Sequence, residues 1–234
     1  MEPTGVVASA RERVRDAVRG EIIVAARVQL GTEGAGALSL RAVARELGMA
    51  SSAVYRYFKS RDELLTALIV EAYDALGAEA EAGVTVGESS LERWRNGCRS
   101  VRRWALSRPT EYALIYGSPV PGYQAPELTV APASRVLLAL AGVLAEASHA
   151  GELADDPTTV LPTSIDAEMR ALADFATPGV PPLIVAKALV AWNQLYGQVS
   201  FEVFGQLHGL VQDTDAFFDF AIDAMAHVVG FRSS

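Results

Sequence analysis

The stretch Leu38 to Leu65, LSLRAVARELGMASSAVYRYFKSRDELL, constrains the fold more than any other part of the chain. Leu40, Val43, Ala44 and Leu47 recur at three- and four-residue spacing before Gly48, and Val54 and Phe58 do so after it. That is the period of two short helices meeting at a tight turn. Gly48 lacks a β-carbon, so it can take the positive φ that stops one helix and lets the next leave at a steep angle. Ala44, one turn earlier, is small enough to let the second helix approach closely. Ser39 and Ser51 stand where helices should begin, each with a hydroxyl able to satisfy a free backbone N–H. Ser60-Arg61-Asp62-Glu63 has capping-box spacing ahead of the apolar Leu64, Leu65, Leu68 and Ile69, so a further helix starts there. The arrangement expected is a helix-turn-helix.

A second helix running from about Ser51 to Phe58, with Val54 and Phe58 inward, leaves Ser52, Ala53, Arg56 and Tyr57 largely outside and Tyr55 at the edge. Small polar, aromatic and arginine side chains in that mixture suit a DNA major groove. Arg56 can bridge guanine O6 and N7, and tyrosine hydroxyls and Lys59 can hold phosphates. The same spacing also fits a solvated face above an ordinary helical hairpin, and the pattern alone leaves both open.

The longer run LSLRAVARELGMASSAVYRYFKSRDELLTAL resembles the DNA-binding domain of TetR-type transcriptional regulators (the TetR/AcrR family), through Leu-Gly-Met, Ala-Val-Tyr-Arg-Tyr-Phe and the following basic-acidic-Leu-Leu. The similarity covers roughly Arg15 to Ala72. It implies that Ser51, Ser52, Ala53 and Arg56 face bases, while Arg41, Tyr55, Tyr57, Lys59 and Arg61 hold the DNA backbone. Ala53 stands where many relatives carry Thr or Gly.

Net charge first argues against such a partner, since the chain carries -8 with a pI near 5.0. The charge is unevenly placed: residues 1 to 62 hold ten Lys/Arg and seven Asp/Glu, a balance of +3, so the remainder carries -11. An acidic body repels DNA except through the basic head, and binding should weaken steeply with salt. The 234 residues, 50% hydrophobic, suffice for a sizeable core. A single cysteine, Cys98, excludes an intrachain disulfide and fits a reducing compartment. The start, MEPTGVVASARERVR, reverses the order of a secretory signal, and the apolar run Val136 to Ala145 falls short of the ~20 residues needed to cross a bilayer. The expectation is a cytoplasmic protein with no membrane partner.

Helical periodicity continues along the chain. The first helix should run from near Ser9 or Arg11 to Gln29, with Val14, Val18, Ile22, Ala25 and Val28 or Gln29 on one side; the preceding Arg11, Arg13, Arg15 cluster reads as a solvated arm or a phosphate contact. A fourth helix should span about Asp62 to Ala80, with a hinge at 82–87. From Leu91, the series Trp94, Cys98, Val101 and Ala105 marks an amphipathic helix whose arginines are solvated, paired with acidic neighbours, or open to an anionic ligand. A short helix at Glu111 to Tyr116 precedes a loop that Pro119, Pro121, Pro126 and Pro132 keep irregular. Helices follow from Ala133 to His149, around Ile165 to Ala176, from Pro182 to about Leu207 and from Asp215 to Val229. The chain should be all-α, with a helix-turn-helix domain at 9–72 and a helical effector-binding and dimerisation domain at 73–234.

The last two helices are apolar on more than one face, with Gly197 and Gly205 expected to admit close neighbours. They read as half of a four-helix bundle shared by a homodimer, through Val199, Val203, Phe204, Phe217, Phe218, Ile222 and Met225, or else as two helices buried within a monomer. The stretch resembles the Trp-His-Gly type of TetR C-terminal domain at Trp192, Tyr196-Gly197 and Glu202-Val203-Phe204-Gly205, with Tyr in place of His. Family resemblance further implies a small-molecule effector, hydrophobic or aromatic, with candidate walls at Trp94, Trp104, Tyr112, Tyr116, Tyr123, Leu137, Leu140, Trp192 and Tyr196 and polar handles at Asn193 and Gln194. His149, His208 and His227 show no metal-ligand spacing, Cys98 reads as a core thiol, and no catalytic motif is present, so neither an enzyme nor a cofactor is expected. The alternative is a DNA-binding or protein-interaction module with no effector.

Overall fold

A computed structural model describes residues 10–154 and 159–232. Among the described residues every regular element is helical, and the one isolated β-bridge joins Leu153 to Phe231. The helices are α1 (Ala10–Glu33), α2 (Leu40–Glu46), α3 (Ser51–Val54), α4 (Arg61–Gly83), α5 (Ser90–Ser107), α6 (Pro109–Tyr116), α7 (Val130–His149), α8 (Thr163–Ala176), α9 (Pro182–Val203) and α10 (Thr214–Val229). Two compact units divide them. The first holds residues up to Ala72 together with Ala113–Thr129, and the second holds Tyr73–Tyr112 and everything from Val130 on. The proline-rich connector thus groups with the head, not with the body to which the sequence assigned it.

In the first unit, Ile22, Ala26 and Leu30 of α1 pack into a core closed by Val43, Val54, Phe58, Leu64 and Leu65, all 5% exposed or less. Val14 and Val28, expected on the inner stripe of α1, are instead exposed, and the buried stripe runs through Ile22, Ile23, Ala25, Ala26, Gln29 and Leu30. The Arg11, Arg13, Arg15 cluster sits within the first turns of α1 and not on an arm ahead of it. Tyr123, in the connector, meets Thr66 of α4 hydroxyl to hydroxyl at 2.9 Å, which ties this irregular segment to the head.

The second unit is built around α5. Its Ser89 capping box is complete, with the Ser89 hydroxyl accepting from Glu92 N–H and the Glu92 carboxylate accepting from Ser89 N–H. Trp94, Cys98, Val101 and Ala105 are buried as the periodicity required. Gly97 lets α7 approach so closely that an added β-carbon would lie 2.9 Å from Leu140 Cδ2. Gly197 and Gly205 admit no neighbour within the protomer: an added β-carbon would meet nothing within 4 Å at either. α9 ends at Val203, short of Leu207, and the chain turns through Gly205 and Gly209, both at positive φ, into α10. Asp213 caps α10 by accepting from Ala216 N–H at 2.9 Å. Pro132, expected to block a helix, lies in the first turn of α7, where its missing N–H would have had no intrahelical partner.

α7, with the turn before it, is long and apolar enough to span a bilayer by length and composition, contrary to the reading of the sequence run alone. Its inner side, however, is buried in this unit through Val136, Leu140, Val143, Leu144 and Ala147, as a core helix requires.

The exposed-looking arginines of α5 are paired with acidic neighbours. Arg93 bonds Glu146, Arg95 bonds Asp223 at 2.6 Å, Arg99 bonds Asp219 at 2.8 Å, and Arg103 lies 3.6 Å from Glu79. Arg102 is the most enclosed. It holds Glu202 through two bonds of 2.6 and 2.7 Å, reaches Asp215 at 2.6 Å and lies over the Phe218 ring. The Arg99 guanidinium keeps the Asp219 carboxyl below the usual carboxylate range, and Arg135 does the same for Glu81. A carboxyl whose folded pKa is depressed adds stability above its unfolded value, near pH 4, and loses it as pH falls through the folded value. The unfolding midpoint should therefore drop as pH falls below about 4, and a combined Arg99→Gln, Arg135→Gln variant should show a flatter acid limb in urea titrations.

Candidate functional site

The turn between α2 and α3 is a Schellman closure. Gly48, at φ 62°, donates to Arg45 O at 3.2 Å, and Met49 donates to Ala44 O at 2.8 Å. The caps differ from expectation. Ser39 occupies the N-cap of α2 without a side-chain bond, and the N-cap of α3 is Ala50, which puts Ser51 inside the helix. The free backbone at the start of α2 is served from α1: buried Gln29 accepts from Ser39 N–H at 3.1 Å while its amide nitrogen donates to Glu33 at 3.1 Å and to Ala37 O at 3.4 Å. At the start of α4 the first half of the expected capping box forms, while the Glu63 side chain reaches back one residue beyond the Ser60 cap. Ser60 Oγ accepts from Glu63 N–H at 3.1 Å, and the Glu63 carboxylate accepts from Lys59 N–H at 2.7 Å.

α3 is shorter than the eight-residue helix read from the sequence. Regular α-helix covers Ser51–Val54, and the chain then tightens: Arg56 N–H reaches Ala53 O and Tyr57 N–H reaches Val54 O, while Phe58 N–H keeps the longer bond to Val54 O at 3.1 Å. This tightening leaves Val54 and Phe58 inward, 0% and 1% exposed. Ser51, Ser52, Tyr55, Arg56 and Lys59 stand exposed, Ala53 and Tyr57 are half-buried, and Arg41 is exposed on α2. Arg61 is half-buried, and its guanidinium donates to Ala35 O at 2.7 Å and Gly36 O at 3.3 Å. In this conformation it braces the connector between α1 and α2.

The candidate effector residues stand in different surroundings within their units. Trp94 is buried against Phe231, and Trp104 is buried beneath Arg108. Tyr112 is fully buried, its hydroxyl 2.8 Å from Ser200 Oγ and 3.3 Å from Tyr196 O, and burial pushes its phenol up in pKa. Trp192 meets Tyr196 edge to face at 5.1 Å, and Asn193 and Gln194 are exposed. Tyr116 and Tyr123 belong to the first unit. Leu140 packs between α7 and α5, and Leu137 alone of the set lines an apolar cleft among α7, α8 and α9. Sequence reading missed the remaining walls of that cleft, among them Leu144, Thr177 and Val180, because an apolar stripe at helical spacing reads as core. The indole N–H groups of Trp94, Trp104 and Trp192 are buried without an acceptor. Cys98 is wholly buried, and burial pushes its thiol far up in pKa, so it is inert as a nucleophile.

Of the residues expected between two copies, Val199, Phe218, Ile222 and Met225 are buried in the protomer's own core, 2% exposed or less. Val203 and Phe217 are half-buried and Phe204 is exposed. Besides Phe204, the apolar side chains that α9 and α10 leave outside are Val190, Phe201, Phe220 and Val228. Gln194, Gly197, Phe201, Phe217, Phe220 and Ala224 line a shallow groove between these two helices.

Residues 22–68 match the family model for bacterial regulatory proteins of the tetR family, and residues 94–225 match the tetracyclin repressor-like C-terminal domain. The chain is 42% identical over 200 residues to the HTH-type transcriptional regulator Rv1816 of Mycobacterium tuberculosis, a match spanning 84% of this chain and 85% of the relative. A crystal structure titled as a regulatory protein, SCO4313, is 34% identical, covers 94% of this chain and 100% of its own, and has a TM-score of 0.77. RolR, solved in complex with resorcinol, shares the fold at a TM-score of 0.53 and 16% identity, over 94% of this chain and 91% of its own. The helix-turn-helix head, the all-helical body and these relatives together place the chain in the TetR family of transcriptional regulators, which are DNA-binding proteins and not enzymes.

Proposed function

We propose that the protein is a ligand-responsive repressor that binds a palindromic operator as a homodimer in the cytoplasm. The observation that carries this reading is the surface of α3. Ser51, Ser52, Tyr55 and Arg56 stand outward on α3 and the tight turn after it, which Val54 and Phe58 anchor in the head. Arg56 takes the bidentate guanine contact, while Arg41, Tyr55, Tyr57 and Lys59 hold phosphates and Ser51, Ser52 and Ala53 line the groove beside the bases. Arg61 contributes to phosphate contact only by leaving the carbonyls it now braces.

A second copy covers the apolar face of α9 and α10. Phe201 and Phe220, 54% and 69% exposed, need such a partner, and open space above Gly197 gives a crossing helix room to approach. Two α3 helices then address half-sites one DNA turn apart, roughly 34–36 Å. The buried, unpaired indole N–H groups and the small aromatic molecule bound by RolR support an effector in the body. An effector that favours DNA-incompetent spacing must, by linkage, bind more weakly when operator is present.

Anisotropy titrations with selected genomic fragments test the reading. Lys59→Ala should weaken operator and random DNA alike and reduce the slope of log affinity against log salt by about 0.9. A loss confined to operator would mean that Lys59 reads bases.

A further inference from the structure

The apolar cleft among α7, α8 and α9 has one polar atom that none of the described residues satisfies. Leu137, Leu144, Leu172, Val180 and Ile184 form its walls, and Thr177, at the C-terminal end of α8, completes them. Thr177 is 5% exposed, and its Oγ1 is buried without a hydrogen-bond partner. Its backbone is fully engaged, with N–H donating to Ala173 O at 2.8 Å and C=O accepting from Val180 N–H at 3.0 Å, so only the hydroxyl is spare. A buried, unpaired hydroxyl is destabilising, and its presence in an otherwise apolar cleft marks a place that a hydrogen-bonding guest improves.

We infer that this cleft is a binding site for a small neutral hydrophobe carrying a single oxygen, an alcohol or a ketone, whose oxygen pairs with Thr177 Oγ1. The lining dictates the class. None of the residues around the cleft is ionisable, so a carboxylate or ammonium would lose its hydration with nothing in exchange. A hydroxyl can donate or accept, so both alcohol and ketone fit. Leu137, Leu172, Ile184 and Leu189 are only half-buried at the edge of the cleft and can part to admit the apolar tail. None of the aromatic residues singled out by the sequence lines this cleft, so it offers an effector aliphatic walls instead. The inference rests on the reading of that body as ligand-binding.

The test uses the full-length protein with 1-octanol, 2-octanone and sodium octanoate, binding being followed by calorimetry and by thermal shift. Wild type should bind both neutral probes saturably and octanoate at least tenfold more weakly. Thr177→Val removes the orphan hydroxyl at nearly constant volume. It should leave the melting temperature of the free protein unchanged or raise it, while weakening 1-octanol about fivefold. Ala188→Phe, which fills the cleft, should abolish binding of both. Failure of wild type to bind either neutral probe, equal affinity in Thr177→Val, or octanoate binding as tightly as the alcohol overturns the site. Binding that follows all these expectations while operator affinity stays unchanged keeps the site and overturns the ligand-responsive repressor instead.

Discussion

Arg102→Ala should lower the unfolding free energy by about 3 kcal/mol, the range expected when one partner of an enclosed ion pair is removed. Arg102 and Glu202 are only 13% and 10% exposed, and the guanidinium also holds Asp215 and covers Phe218. Truncation leaves the Glu202 carboxylate desolvated with no cation and uncovers the buried Phe218 ring, so two penalties act together. Glu202→Gln removes the charge but keeps an acceptor for the arginine, so it should cost less. Arg95→Ala and Arg99→Ala, whose pairs are exposed, should each stay within about 1 kcal/mol. Urea melts of the four variants check the order. Equal effects for Arg102 and Arg99 would mean that the enclosed cluster joining α5, α9 and α10 contributes nothing special.

Phe201→Asp combined with Phe220→Asp should convert the proposed dimer to a monomer and weaken specific operator binding by more than about 100-fold. Once the heads separate, the second half-site no longer benefits from the effective concentration of a tethered partner. Both rings are more than half exposed in the protomer, so the substitutions should leave the protomer's own stability nearly unchanged. Sedimentation and anisotropy measure the two effects. Phe218→Asp, by contrast, places a charge at a fully buried position and should unfold the body, which separates interface loss from core loss.

Much of this was legible in the sequence because the relevant forces are local. Gly48 announces its positive φ by lacking a side chain, Ser60 and Glu63 announce a cap by spacing, and the buried face of α5 follows from Trp94, Cys98, Val101 and Ala105. Long-range effects were hidden. Gln29 serves the start of α2 from another helix, which makes a side-chain cap at Ser39 unnecessary, and Arg61 is drawn to carbonyls more than twenty positions earlier. α3 is short because the chain tightens after Val54, a backbone choice that apolar periodicity does not record. The helix-turn-helix surface could be read because each of its residues sits on one continuous stretch. The surroundings of the body's aromatic residues could not, since an aromatic residue has the same appeal to a core as to a pocket. Trp94 and Tyr112 became core, whereas the cleft is walled by aliphatic residues from three separate helices. For the same reason, Phe218 and Ile222 went inward and Phe201 and Phe220 outward on helices apolar on more than one face.

Selection of bound fragments from randomised duplex DNA, run in parallel for wild type and Arg56→Ala, addresses the proposed role of α3 most directly. Wild type should enrich an inverted repeat whose half-site centres lie about 10 base pairs apart or at a multiple of that spacing, with a guanine fixed in each half. Arg56→Ala should lose preference at that guanine in both halves at once, with about 1–3 kcal/mol less discrimination against other bases. An asymmetric or featureless wild-type site, or the same guanine preference in the variant, would contradict the account.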